Sequence, residues 1–542
     1  MDNRKRARTK KCGIVVPPHQ RGNTIAEWIH VPLIGRPLKA PVPIPHLLRA
    51  GLARAPDGTA LVSTAMRCSW RDVDRASDNL AGNYLALGLR PGDRVASLMP
   101  NRVALMIHYI ACMKSGLVGV PLNYRYTTAE IDRALAVSRA SMLIAHVERG
   151  RDLGESRQAR ELPHGLIYDG AKEGRHPCLE VLMDTTPLKK ELHVPRASDP
   201  AFIFFTSGST GPAKGVTHSR EGFEWMLATF PAVLELTPDD VMLPASSISH
   251  IGGFGFSFAA LAVGARAVVA RSFDSQHILQ LLREERPTVL WMQPALLFQL
   301  IRDPGASPDD FRSLRLCRSG SDKVPAELGR EFTELTGLVI NEGLGMTEVG
   351  AVTGNPPSGL IKAGSIGQPA PGVRISICDD DGRELPAGAE GRMLISSPTL
   401  MTGYWADPAA TAAVIRDGWL DSGDVVKADD DGYVTFCGRK KQLIVHDGSN
   451  ISPLEVEDAL QQHPAVAMAG VVGVRDLVHG ENVCAYVTLK PGAPAPTERE
   501  LIQFARARIG YKAPGKIEFL AEMPLNTGKI DRAALKNLAN LR

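Results

Sequence analysis

From about Ile44 onward, apolar positions alternate between two spacings. Stretches with helical periodicity, Trp70 to Leu87 and Ala129 to Val137, alternate with short continuous apolar runs, Arg94 to Leu98, Gly119 to Leu122 and Met142 to Ala145. The short runs read as buried strands and the longer stretches as amphipathic helices. That alternation predicts a parallel sheet covered by helices. A second such series runs from Ala201 to about Leu344. Between Gly364 and Gly438 the pattern changes. Val373 to Cys378, Gly391 to Ile395 and Tyr433 to Phe436 are short β-like runs, punctuated by Asp-Gly turns at Asp381-Gly382 and Asp431-Gly432. This predicts a small, mostly antiparallel β unit. After Gly438 strands and helices mix again, over about 100 residues, enough for one small α/β domain.

Residues 1–43 stand apart. The first eleven carry six basic side chains and one acid, and the apolar stretch Gly13 to Val16 ends at Pro17-Pro18. A secretory signal needs a longer apolar core, so the basic run reads as a solvated tail, with a transit peptide or an anionic-surface contact as the alternative, and residues 1–43 as a basic, Pro-containing extension.

Composition narrows the function classes. At 542 residues, 44% hydrophobic and 22% charged, the chain is ordinary globular protein and not a mainly disordered one. Lys plus Arg is 62 against 59 for Asp plus Glu, a net charge of +3 that argues against a dedicated nucleic-acid binder. The most apolar run, Phe254 to Ala270, is broken by Arg266 and does not make a membrane span. None of the eight cysteines forms a C-x-x-C pair, which removes zinc-ribbon spacing. Reduced thiols in a cytoplasmic protein are the expectation.

The richest chemistry lies in Ala201-Phe-Ile-Phe-Phe-Thr-Ser-Gly-Ser-Thr-Gly-Pro-Ala-Lys-Gly215. An apolar strand runs into a loop carrying Thr206, Ser207, Gly208, Ser209, Thr210, Gly211 and Lys214. Glycines let backbone N–H groups converge on an anion, hydroxyls add donors and the lysine adds charge, so the loop suits a polyphosphate. The Walker A spacing is missing.

This loop resembles the phosphate loop of the adenylate-forming superfamily, which contains acyl- and aryl-CoA synthetases, peptide-synthetase adenylation domains and beetle luciferases. Five further motifs follow in order. They are Asn341-Glu-Gly-Leu-Gly-Met-Thr-Glu348, Gly364-Ser-Ile-Gly-Gln-Pro-Ala-Pro-Gly372, Gly418-Trp-Leu-Asp-Ser-Gly-Asp424, Gly438-Arg-Lys-Lys-Gln-Leu-Ile with Gly448-Ser-Asn450, and Pro524-Leu-Asn-Thr-Gly-Lys529. The resemblance spans Ile44 to Arg542. It implies an α/β fold: a large N-terminal adenylation domain (44–438) of two α/β subdomains plus a β-barrel-like subdomain, and a small mobile α+β C-terminal domain (439–542).

The resemblance also assigns roles. Lys529 would bridge the carboxylate and the α-phosphate, because two anions must meet. Thr347 would donate to the α-phosphate, and Glu348 would hold Mg2+. Asp424 would accept the ribose hydroxyls and Arg439 would reach ribose or phosphate. Gly320, Ser321, Asp322, Glu342, Gly343 and Leu344 would surround the nucleotide. Leu344 stands where many members have a tyrosine, and Asp322-Lys323 replaces a small residue and proline. Lys441 occupies the hinge position, and Gly448 belongs to the loop that would line the thiol tunnel after domain rotation. His250, in Ser246-Ser-Ile-Ser-His-Ile-Gly-Gly253, matches a histidine beside the acyl site. By analogy with coumarate-type ligases, Ile251, Gly252, Phe256, Arg318, Ser321, Gly343 and Val352 would line the acyl pocket. An Arg318 that faced this pocket would favour an acyl group with a distal acid or hydroxyl; the competing reading pairs it with Glu342 or Asp322.

The implied activity is that of an AMP-forming carboxylate–CoA ligase. It would adenylate a fatty or aryl acid with ATP and Mg2+, then form a thioester with CoA. The alternative acceptor is a carrier-protein thiol. Amino-acid activation is disfavoured, because no acidic residue lies between Leu243 and Val263 to hold an ammonium. A luciferase-like oxygenation shares every motif. A non-catalytic scaffold would not need Lys214, Glu348, Asp424 and Lys529. No nucleic-acid partner is expected, and a homodimer stays open.

Overall fold

The computed structural model describes residues 33–171, 178–187, 195–206, 213–446, 449–476, 479–526 and 529–540. Two seven-stranded sheets dominate. The first has the spatial order Gly403–Tyr404, Gly215–Ser219, Pro200–Phe205, Val118–Pro121, Arg94–Leu98, Met142–His146, Leu166–Asp169. Its central strands are parallel, and the two strands at the Gly403 end run antiparallel. The second runs Asn341–Gly343, Leu316–Gly320, Val289–Met292, Val241–Ala245, Arg266–Val268, Thr59–Val62, Arg67–Ser69, parallel except for its last pair.

Two strands cross the boundaries that reading along the chain suggests. Thr59–Val62, early in the first series, pairs in parallel with Arg266–Val268 of the second sheet. Gly403–Tyr404, beyond both series, closes the edge of the first. Helices start where the sequence supplies caps. Ser69 and Asp72 form a capping box before the helix Trp70–Ala86, and Thr127 and Glu130 do the same before Thr128–Ser138.

The sheets meet across an aromatic core. Tyr109, Phe202, Phe204, Phe223, Phe254 and Phe258 are almost completely buried and contact one another ring to ring. Each such ring contributes about 1.5–3 kcal/mol on burial. Phe254 and Phe258 stack at 4.4 Å, one turn apart. They anchor the helix Ile251–Val263 against the first sheet, which fixes the position of its N-terminus.

The antiparallel unit is six-stranded, built on Arg374–Cys378, Gly391–Ser396, Trp419–Ala428 and Val434–Arg439. Leu33–Ile34 pairs with Arg374–Ile375, and the Val42 amide bonds the Glu224 carbonyl. Residues 33–43, read from sequence as part of a basic, Pro-containing extension, therefore pair with the fold; residues 1–32 lie outside the described residues. The last unit pairs Ser449–Ile451, Ile444–His446, Gly480–Leu489, Val466–Asp476 and Lys516–Phe519 under three helices. Among the described residues no helix is long and apolar enough to cross a membrane. The seven described cysteines are free thiols.

Candidate active site

Parallel strands end together, so the loops leaving them collect on one side. Phe205 leads into Thr206, Ala245 into Ser246, Gly320 into Ser321 and Gly343 into Leu344. Ser321 holds a φ of +71°, an uncommon backbone conformation for a residue with a side chain, at the mouth of this cleft. The segment before His250 is clamped from the other sheet. Asn101 donates to the carbonyls of Ser246 (2.7 Å) and Ala270 (3.0 Å) and accepts from the Ile248 amide (2.8 Å). His250 then caps the helix Ile251–Val263 with its backbone only, leaving the imidazole for the cleft.

Asp322, Asp424, Arg439 and Lys529 bring four charges together there. Asp424 and Arg439 face each other on paired strands, with Nε to Oδ1 at 2.9 Å. Asp424 is 1% exposed, and among the described residues neither of its oxygens receives an aligned hydrogen bond. Burial raises its pKa to about 6 despite the opposing guanidinium. Lys529, from the end of the C-terminal unit, opens onto the same cleft. Desolvation by the surrounding protein lowers its pKa, Asp322 and Asp424 oppose that shift, and Arg439 adds to it. The Lys529 charge also reaches His250, whose pKa falls to about 4 through burial and that nearby ammonium. His250 is therefore neutral at physiological pH.

Glu348 sits on a tight hairpin, Gly345–Met346 against Gly350–Ala351. Two contacts that carry no sequence motif of their own hold this turn. His218 is fully buried and neutral, its pKa lowered to about 4 by burial, and its Nε2–H donates to the Thr347 carbonyl at 2.8 Å. Tyr404 donates its hydroxyl to Glu348 Oε1 at 3.1 Å, and the Lys214 ammonium lies 4.7 Å from the same ring.

Several expected site residues do other work. Arg318 is 3% exposed. Its Nη1 donates to Asn341 Oδ1 (2.6 Å) and the Glu342 carbonyl (3.2 Å), and its Nη2 to the Thr353 carbonyl (2.6 Å). The acyl-recognition role fails because these donors are spent inside the protein. The competing pairing with Glu342 takes the form of charge attraction without a direct bond: the hydrogen-bond acceptors are neutral oxygens, while the Glu342 charge raises the Arg318 pKa against burial. Gly343 leaves room for that guanidinium, since a Cβ there would meet Nη2 at 1.7 Å; a Cβ on Gly320 would meet the Gly343 carbonyl at 2.4 Å. Both glycines serve strand packing. Glu342 accepts from the Gly364 amide at 3.0 Å, and burial pushes its pKa up to about 7. Val352 has no exposed surface and belongs to the main core. Ser207, Gly208, Ser209, Thr210, Gly211 and Gly448 lie outside the described residues, as does the side chain of Lys441.

The sequence matches the AMP-binding enzyme family over residues 48–405 and the AMP-binding enzyme C-terminal domain over 455–529. A feruloyl-CoA synthase from Amycolatopsis sp is 33% identical over 88% of this chain and 95% of its own length. A fatty acid–[acyl-carrier-protein] ligase from Streptomyces coeruleorubidus is 31% identical over 89% and 93%. Among solved structures, an anthranilate CoA ligase in complex with anthranoyl-AMP superposes with a TM-score of 0.86 at 28% identity, covering 93% of this chain and 98% of that one. The chain belongs to the AMP-binding enzyme family and is an AMP-forming acid–thiol ligase.

Proposed function

We propose that this chain joins a carboxylic acid to CoA in two half-reactions. In the first, a carboxylate oxygen attacks the α-phosphate of ATP, forming a C–O–P bond and releasing pyrophosphate. In the second, the CoA thiol gives up its proton and its sulfur attacks the acyl carbonyl, releasing AMP. The observation that carries this reading is the meeting of Lys529 with His250, Asp322 and Asp424 in one cleft. A cation brought in on a separate unit faces the place where two anions must join. Asp424 offers two carboxylate oxygens as ribose acceptors. Glu348 would hold Mg2+, with nucleotide phosphates completing its oxygen shell, and the metal would neutralise phosphate charge. Glu348 and Asp424 already repel one another across the cleft, which fits a bound cation.

The test is pyrophosphate release from ATP and Mg2+ across a panel of acids, with and without CoA, with product masses recorded. Acyl-CoA as the product supports the reading. Acyl-adenylate that persists despite CoA points to a carrier-protein thiol, the acceptor named for the Streptomyces coeruleorubidus relative.

Two side chains give sharper checks. Tyr404→Phe keeps the ring beneath Lys214 but removes the hydroxyl from Glu348. The Mg2+ concentration for half-maximal activity should rise about tenfold, as for partners of metal ligands generally. Unchanged Mg2+ dependence would make Tyr404 a packing residue. Asp424 accepts from both ribose hydroxyls, one on each carboxylate oxygen, only when ionised, so the KM for ATP should climb as pH falls through about 6. Asp424→Asn should show a raised KM without that limb. The stability sign is opposite. The folded pKa lies above the ordinary value of about 3.9, so the charge costs stability above pH 6 and the cost is relieved towards pH 4.

A further inference from the structure

On the ligase reading above, we propose that Asp322, Lys323 and Glu327 form a docking strip of alternating charge that seats the C-terminal unit for adenylation, and that Lys323 is the residue through which the strip positions Lys529.

The strip follows the strand Leu316–Gly320. Ser321, at a φ of +71°, turns the chain there, and the Lys323 amide donates to Asp322 Oδ1 at 2.9 Å, which ties that carboxylate to its own loop. Glu327 lies in the first turn of the helix Ala326–Thr336. The three signs run negative, positive, negative within one short segment. The C-terminal unit meets them with the opposite signs. Lys323 Nζ bonds Asp458, and Lys490 Nζ bonds Glu327. Burial disfavours the Lys529 ammonium, and Asp322 is the foremost charge opposing that. Asp322 and Lys323 also line one cavity with Glu457, Asp458, Leu525 and Ile530, the last of these next to Lys529. Arg302 and Arg330 lie 3.6 and 3.9 Å from Glu327 on its own side of the interface. An alternating set is satisfied in one register, and a shifted one sets like charges together. Each pair is partly exposed and individually weak, so the seat is specific and still breakable.

The strip reaches Lys529 through one helix. Asp458 stands on Pro453–Gln461, and its neighbour Glu457 is 3% exposed. Arg532 Nη2 donates to both Glu457 oxygens at 2.7 Å, and the Val471 amide donates to Oε1 at 2.8 Å. Arg532 follows Lys529 by three residues. Seating Asp458 on Lys323 therefore sets where Glu457, Arg532 and Lys529 stand. A small residue and a proline, which the resembled family carries at 322 and 323, could make neither contact.

The experiment measures the two half-reactions separately at saturating substrate, with the acid that the panel selects. One is pyrophosphate release from ATP and acid; the other is thioester formation from preformed acyl-adenylate and CoA. Lys323→Glu sets two carboxylates face to face and should slow the first about tenfold while leaving the second within about twofold of wild type. Adding Asp458→Lys remakes the pair with its signs exchanged and should recover the first to within about threefold of wild type. Lys323→Gln, which only removes the charge, should show the same split at about threefold. The melting temperature of each variant shows that it is folded. Lys529 is faced by His250, Asp322, Asp424 and Arg439. Above pH 7 His250 is neutral and Asp424 ionised, so the alkaline limb of the first step follows Lys529. Asp322→Asn should move that limb down by about one pH unit, because one neighbouring opposite charge is lost. Equal losses in both half-reactions, a folded charge-exchanged enzyme no faster than Lys323→Glu, or an unmoved limb in Asp322→Asn overturns the inference and leaves the ligase reading intact. Failure of the wild type to release pyrophosphate with any acid overturns the ligase reading and the strip with it.

Discussion

Lys529→Ala should lower pyrophosphate-releasing activity by about 10²–10³, the loss expected when one preorganised charge is removed from a developing anion. The same variant should convert preformed acyl-adenylate and CoA to thioester at close to the wild-type rate. The reason lies in where this lysine comes from. It belongs to a unit of about 100 residues whose contacts with the rest of the chain include ion pairs, Lys323 with Asp458 and Lys490 with Glu327, with Lys440 2.5 Å from Asp380. Pairs that are partly exposed contribute about 0–1 kcal/mol each and are screened by salt. Between residues 294–325 and 454–530 the two units enclose a cavity of about 350 Å3 rather than a continuous core. An interface of this kind would permit the rotation between half-reactions that the family resemblance implies. On the proposed reading Lys529 would serve the first step in this arrangement, and the second would proceed with it withdrawn. Stopped-flow assays of each half-reaction separate the cases. Equal loss in both steps would mean that Lys529 stays in place throughout, and the rotation would have to be abandoned.

How much of this was legible in the sequence depends on the range over which the information acts. The strand Arg94–Leu98 and the helix from Trp70 came out of local periodicity, because burial of one face writes itself into neighbouring residues. Sheet membership did not. Nothing within Thr59–Val62 announces that its partner is Arg266–Val268, about two hundred residues on. The convergence of Lys529, Asp424, Arg439 and His250 followed from ordered motifs. The side chains that position them left no such mark. Asn101 reaches 169 residues along the chain to Ala270, and Tyr404 reaches 56 back to Glu348. A single Asn or Tyr in a connecting segment looks the same whether it clamps a site or faces water.

Arg318→Met should cost about 3 kcal/mol of stability and leave the ranking of acids unchanged. The guanidinium is buried, and burial pulls its pKa down to about 10, so it remains charged at neutral pH. Its removal strands three acceptors, Asn341 Oδ1 and the carbonyls of Glu342 and Thr353, each worth about 1–3 kcal/mol when buried without a donor. The methionine recovers part of that through apolar contact, which brings the sum to the value above. The space is also shaped for a guanidinium. Gly343 and Gly354 both lack the Cβ that would collide with it, at 1.7 and 2.6 Å. A thioether leaves part of that volume empty. Arg318→Lys should recover little, since one ammonium cannot span acceptors that two nitrogens divide between them. Urea denaturation followed by tryptophan fluorescence gives the stability change, and the acid panel gives the ranking. Wild-type stability with a shift towards purely apolar acids would show that the guanidinium reaches the acyl group. The expected result, lower stability with the same ranking, assigns Arg318 to holding together the strand pair Leu316–Gly320 and Asn341–Gly343.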